Sequence, residues 1–249
     1  MIWENTMKGD HPNEYTTDDL AGLLKFQNNP HLSFDDRMKS LYPSIDLDLI
    51  RLPRNLSTQD KSSWIEVSAH NPFQCKYGGV NNIPPCINNL GSIRTSDPIP
   101  SECEIYYYEM LVLNAGEHGY VAIGFTANGT NLNRQPGWAR HTYGYHGDDG
   151  RLFEERGHGK KYGPVFGTND VVGCGINLRN RSCFFTKNGK FLGIAVRNLP
   201  VIKYYPTIGV HSTNECVEVN LGQKPFLYNI KMEMILDNAH KKDMSKGNL

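Results

Sequence analysis

The sequence predicts an all-β fold, an antiparallel sandwich or barrel, and three observations carry that reading. From about residue 61 onward, short runs of apolar and aromatic residues follow one another at close spacing, with no helical period between them. Asn188-Gly189 between two such runs is a strong hairpin signal, because both turn positions want a positive φ. A length of 249 residues suits a single all-β domain, and no sustained repeat points to a propeller or solenoid.

Taken in order, residues 1–40 form a polar extension with one helical signal. Thr16 and Thr17 can cap "DDLAGLLKF", where Leu20, Leu23, Leu24 and Phe26 would make a narrow apolar face. Residues 41–60 are broken by Pro43 and Pro53 and read as an extended lead-in. Strand-like runs then follow: "SSWIEVS" (62–68), "CEIYYYEMLVL" (103–113), "GYVAIGFT" (119–126), "DVVGCGINL" (170–178) and "RSCFFTK" (181–187). "KFLGIAV", "YYPTIGV" (204–210) and "ECVEVNLG" (215–222) complete the series, so the β domain spans 61–230. Tyr107, Phe125, Cys174, Ile176, Phe184 and Ile208 are read as core from their bulk and alternation. The tail, 231–249, has a brief apolar period at Met232, Ile235 and Leu236 and then a charged end, a short helical or disordered segment.

Composition narrows the function classes. Lys plus Arg equals Asp plus Glu at 26 each, so no whole-chain field attracts nucleic acid or an acidic membrane. No stretch has the length of apolar residues that a spanning helix needs, and the first residues lack the order of a secretory signal. The expectation is a soluble protein of the cytoplasm, or also of the nucleus. Cys75, Cys86, Cys103, Cys174, Cys183 and Cys216 contain no CxxC pair and are expected to be reduced, largely core thiols.

The most reactive-looking stretch is "YGYHGDDGRLF" (143–153). A metal-dependent hydrolase could be centred on His146, Asp148 and Asp149, with His158 nearby in sequence. Adjacent aspartates on a strand face opposite ways, however, and a metal needs three or four converging ligands. The stretch reads better as a hairpin. Tyr143 and Tyr145 share one strand face, and Gly147, Asp148, Asp149 and Gly150 make the turn, with Asp side chains capping turn amides. No G-x-S-x-G elbow, HExxH or P-loop occurs, and "RGHGKK" (156–161) reads as a solvated basic loop. No catalytic residue, metal or cofactor is therefore expected.

Binding has better material. The loop "NGTNLNRQPGWARHT" (128–142) carries Asn131, Asn133, Arg134, Pro136, Trp138 and Arg140, and Arg and aromatic side chains on a rigid sheet are common recognition anchors. Trp138 could equally be a core residue that seals the sandwich edge.

The ordered series "PGWARHTYGYHGDDGRLF", "YGP", "VVGCGINL", "FTKNG", "YPTIG" and "NLGQKPF", with "LYPSIDLDLIRLP" and "SIRTSDPIPSECEIYYYE" upstream, resembles a SPRY domain. More narrowly it is similar to that of the Ran-binding protein M family, scaffolds of GID/CTLH ubiquitin ligases, over about residues 41–230. The resemblance implies a twisted sandwich of two antiparallel sheets and a non-catalytic recognition module that binds a peptide or protein through loops at one edge. By the same analogy Arg94, Thr95, His211 and Thr213 border the ligand surface. Relatives in that family continue into LisH, CTLH and CRA helical segments, and nothing here after Ile230 matches them. Two binding roles follow as expectations: a substrate-recognition or adaptor component related to GID/CTLH ligases, or a free-standing effector that competes for the same targets. No nucleic-acid or membrane partner is expected.

Overall fold

A computed structural model describes residue 29, residues 31–79 and residues 90–234. The expected helix around Leu20–Phe26, Cys86 and the tail beyond residue 234 lie outside these residues.

Among the described residues the chain begins with one helix, α1 (Phe34–Leu41). Ser33 caps it by accepting from the Asp36 amide at 3.1 Å, and Asp35 and Asp36 in the first turn oppose the helix dipole. Its apolar content is small; Arg37 and Met38 are its buried residues, and Met38 packs against Gly222.

Fourteen strands follow among the described residues, in two antiparallel sheets of seven. They are β1 (Leu56–Lys61), β2 (Ile65–Val67), β3 (Gln74–Tyr77), β4 (Gly91–Thr95), β5 (Ile105–Ala115), β6 (Ala122–Ala127) and β7 (Thr142–His146). Then come β8 (Arg151–Glu154), β9 (Lys160–Lys161), β10 (Val171–Asn177), β11 (Ser182–Lys187), β12 (Lys190–Val196), β13 (Tyr204–Val210) and β14 (Glu215–Asn220). The first sheet has the order β1-β4-β13-β6-β7-β8-β9 and the second β12-β11-β10-β5-β14-β3-β2. The all-β sandwich expected from the pattern is thus the fold. The lead-in is more ordered than a connector, since β1 starts at Leu56 and pairs with β4.

The hairpins sit where the turn chemistry places them. Asn188 and Gly189 both have positive φ, 49° and 74°, and join β11 to β12. Residues 147–150 turn β7 into β8, with Gly150 at φ 67° and Asp149 Oδ1 accepting from the Arg151 amide at 2.9 Å.

The main core lies between the sheets. Ile123, Phe125, Tyr143, Tyr145, Leu152 and Ile208 of the first sheet meet Tyr106, Tyr108, Met110, Cys174, Ile176 and Phe185 of the second. The Tyr108 hydroxyl crosses this core to the backbone of β6 and β13. It accepts from the amides of Gly124 and Thr207 at 3.2 Å each, locking the sheets together at a central pair. Tyr107 and Phe184, expected in the same core, belong instead to a second cluster with Ile105, Phe226, Tyr228 and Ile230. Here the segment after β14 straps the outer face of the second sheet. The buried Glu109 carboxylate accepts from the amides of Leu227 (3.0 Å) and Tyr228 (2.9 Å) and from the Tyr107 hydroxyl (3.0 Å). Burial raises the Glu109 pKa, and these hydrogen bonds oppose that rise. The chain turns helical again over residues 230–234.

The five described cysteines are free; Cys75, Cys103, Cys174 and Cys183 are buried, and Cys216 is half-buried. No helix among the described residues is long and apolar enough to cross a membrane.

Candidate functional site: a loop clamped over the first sheet

The β6–β7 connection does not project into solvent. It folds back across the outer face of the first sheet, and small residues there make room for it. A methyl group at Gly144 of β7 would overlap the Pro136 carbonyl, and one at Gly209 of β13 would overlap the Gln135 amide. Register puts these positions on one face: His146 pairs with Ala122, Ala122 with Gly209, and Gly209 with Ser92.

Polar side chains then tie the loop down along its length. The Ser92 amide donates to the Leu132 carbonyl at 2.7 Å, and the Ser92 hydroxyl donates to the Arg134 carbonyl. Ser62 Oγ donates to Asn133 Oδ1 at 2.7 Å, while Asn131 Oδ1 accepts from the Asn133 amide at 2.9 Å. Gln135 reaches the Tyr120 carbonyl at 3.3 Å. Near the end of the loop, Thr142 Oγ1 accepts from the amides of Gly137 and Ala139 at 3.0 and 3.1 Å. The Gly137 carbonyl accepts from the Arg156 amide at 2.8 Å.

His146 lies under this loop. Its Nε2 is 2.9 Å from the Pro136 carbonyl, and its ring stacks on Trp138 at 6.0 Å and lies tilted 4.1 Å from Phe153. Burial lowers the His146 pKa to about 4, so the ring is neutral at physiological pH and Nε2 carries the proton that Pro136 accepts. That accounts for the reactive-looking stretch. Asp149 caps the turn and lies 3.6 Å from the Arg151 guanidinium, while Asp148 and His158 are exposed residues. Among the described residues no group of three or more His, Cys, Asp or Glu is placed to hold a metal.

The expected ligand residues divide into two sets. Arg94, Thr95 and Pro136 are buried and hold the fold rather than presenting a surface. The Arg94 guanidinium donates to Asp60 Oδ2 at 3.1 and 2.9 Å and to the Ala127 carbonyl at 3.2 Å. It also donates to Asn128 Oδ1 at 3.3 Å and lies 4.3 Å over the Tyr205 ring. Arg94 therefore anchors the root of the loop. Thr95 Oγ1 donates to the Asp97 carbonyl at 2.8 Å. Asn131, Asn133 and Arg140 are exposed, and Arg134 and Trp138 are half-exposed. Trp138 is both things the sequence left open: it packs on His146 and Phe153 with its Nε1 buried and unpartnered, while the side chain as a whole is half-exposed.

His211 and Thr213 are half-buried in the turn between β13 and β14. Beneath it the fully buried Glu215 carboxylate accepts from the Ser212 amide at 3.0 Å, from the Ser212 hydroxyl at 2.5 Å, and from the His211 amide. The turn joins the loop through Tyr120, whose ring lies 5.2 Å from His211 and whose carbonyl accepts from Gln135. Tyr120 and Gln135 were not singled out in the sequence. An aromatic beside the turn residue Gly119 is the signal that could have found Tyr120.

A separate groove of about 730 Å³ lies among Pro98, Ile99, Leu178, Leu199, Val201 and Lys203. None of the loop residues lines it.

The loop is thus a surface segment held on a rigid sheet by several backbone hydrogen bonds. The SPRY domain family model matches residues 105–224. The chain carries a SPRY domain. The SPRY domain is a protein-interaction module and not a known enzyme family. The chain is 45% identical over 204 residues to mouse (Mus musculus) Ran-binding protein 9, covering 82% of this chain and 30% of that protein. It is 43% identical over 213 residues to Ran-binding protein 10 of Danio rerio, covering 85% and 34%. With the Ran-binding protein M homolog of Arabidopsis thaliana it shares 38% over 180 residues, covering 72% and 38%. It thus spans about a third of the length of these relatives. The crystal structure of a human SPRY domain superposes with a TM-score of 0.55 at 28% identity, over 65% of this chain and 96% of that one. The SPRY domain of human HERC1, 16% identical with a TM-score of 0.54 over 68% and 98%, shares the fold.

Proposed function

We propose that this SPRY domain captures an extended peptide segment of a protein partner on the surface formed by the 128–142 loop and the adjoining His211–Thr213 turn. The observation that supports it most is the clamped loop itself. Its backbone is fixed by Ser92, Thr142, His146 and Arg156, and Ser62 holds the Asn133 side chain, while Arg134, Trp138 and Arg140 stay accessible. Such a surface is preorganised. Binding then loses little backbone entropy, and the domain moves little when the partner docks. A half-exposed tryptophan backed by two rings supplies apolar area, and the guanidinium groups supply directional hydrogen bonds.

The double variant Arg134→Ala/Trp138→Ala tests this reading. It should abolish partner pull-down while circular dichroism and thermal unfolding show an intact sandwich. Unchanged pull-down would place the ligand surface elsewhere.

The kinship with Ran-binding proteins 9, 10 and M supports a second layer of the proposal, in which the captured protein is a target or component of a GID/CTLH-type ubiquitin ligase. Affinity purification from cells followed by mass spectrometry checks it. Ligase subunits should be recovered with the wild type, and their absence from every preparation would remove the adaptor role and leave a free-standing binder.

A further inference from the structure

The basic segment 156–161 reads from sequence as an isolated solvated loop. The fold brings it against the proposed capture surface. The Arg156 amide is bonded to the Gly137 carbonyl, one residue from Trp138, and Gly159 packs on the Phe153 ring, which itself lies 6.1 Å from Trp138. In β9, Lys161 pairs directly with Arg151 of β8. Phe153 pairs with Gly144, so Arg151, Lys161 and Phe153 all lie on the loop-covered face.

Two cations directly opposite each other on one sheet face repel. Among the described residues only Arg151 has an internal counter-charge, Asp149 at 3.6 Å. The other carboxylates nearby are engaged: Glu154 with Lys160 at 2.9 Å, and Glu155 with His141 at 3.0 Å and with the Tyr143 hydroxyl at 3.0 Å. Asp148, exposed in the turn beside Asp149, is the one nearby carboxylate without an ion pair among the described residues, against four unpaired cations. Arg134, Arg140, Arg156 and Lys161 form no ion pair among the described residues. A chain with no net charge therefore carries a local surplus of positive charge around one half-exposed tryptophan.

We infer that the surface around Trp138 takes an acidic peptide, a run of Asp and Glu carboxylates flanking one apolar anchor that rests on the indole. The inference rests on the capture reading above and specifies the chemistry of its ligand. Carboxylates would relieve the Arg151–Lys161 repulsion and meet the Arg134, Arg140 and Arg156 guanidiniums, which suit them geometrically. A nucleic acid fits less well. Asp149, Glu154 and Glu155 interrupt the basic surface, and the aromatic rings stack inward on each other instead of forming a row for bases.

Fluorescence anisotropy with the purified chain tests it, using a fluorescein-labelled deca-glutamate peptide, a deca-glutamine peptide and a ten-nucleotide single-stranded oligo-dT as probes. The glutamate peptide should bind at low salt, weaken steeply as salt rises, and lose at least tenfold in affinity to the Arg140→Glu/Arg156→Glu/Lys161→Glu variant. The control Lys190→Glu/Lys203→Glu, on other surfaces, should bind as the wild type does. Equal binding of deca-glutamine, no loss in the triple variant, or tighter binding of oligo-dT would each overturn the inference. Partner pull-down with the same triple variant separates the two readings. Capture that survives the charge reversal and is lost on Trp138→Ala leaves the surface in place and removes its acidic specificity.

Discussion

His146 donates from Nε2 to the Pro136 carbonyl at 2.9 Å, from beneath the Trp138 indole. This bond makes a neutral histidine a strut for the loop, and it sets a pH dependence. The unfolded side chain titrates near its ordinary value and the folded one near 4. Between those values the unfolded state binds the extra proton, so stability is full above about pH 6.5 and falls by about 3 kcal/mol as pH drops through 4. Urea unfolding at pH 7 and at pH 4.5 measures it. His146→Gln, which keeps a donor but cannot titrate, should flatten the slope over that range.

Gly144 gives a steric test. A Cβ there meets the Pro136 carbonyl, a backbone atom with nowhere to move. Gly144→Ala should cost about 2 kcal/mol through overpacking and should weaken partner capture by displacing the loop. Gly157→Ala, where a Cβ meets nothing within 4 Å, should leave stability and capture unchanged. Thermal unfolding with a parallel pull-down compares the two.

Arg94 acts at the root of the loop. Arg94→Ala removes the ties to Asp60, Ala127, Asn128 and Tyr205 together. The Asp60 side chain is 45% exposed, so solvent absorbs part of the loss, and about 2 kcal/mol is expected in a denaturant titration. Capture should weaken as the loop loosens, and Arg94→Lys, which cannot form the forked contacts, should recover only part of it.

Glu109 holds the strap on the opposite side of the sandwich. Glu109→Ala leaves the Leu227 and Tyr228 amides without their acceptor, for a cost of about 3 kcal/mol. Limited proteolysis should then cut first within residues 223–234, before any strand of the first sheet.

Much of the fold was legible because the strands alternate and the turns carry their own chemistry. β5, β6 and β10 to β14 fall on the runs read from sequence, and the 143–153 stretch is the hairpin that its glycines indicate. β4 was hidden for a physical reason. Ser92, Arg94 and Thr95 look like surface residues, but all three are buried: Ser92 bonds to the overlying loop, Arg94 to Asp60, Ala127 and Asn128, and Thr95 to the Asp97 carbonyl. α1 was hidden by its charge, although Ser33 and Asp36 spell a cap.

Of the proposed site, the sequence offered only the residue types of the 128–142 loop, of which Arg140 is exposed and Arg134 and Trp138 are half-exposed. What sequence could not supply is adjacency. Gln135 meets Tyr120, and Arg156 meets Gly137, through folding of separate segments onto one sheet face.

Hydrogen–deuterium exchange of the domain with and without its captured partner tests the central claim most directly. The account predicts added protection in residues 129–141, reaching residues 156–161 and 211–214, with the groove around Pro98, Leu199 and Val201 unchanged. Protection confined to that groove, with exchange in the loop unaltered, would contradict it.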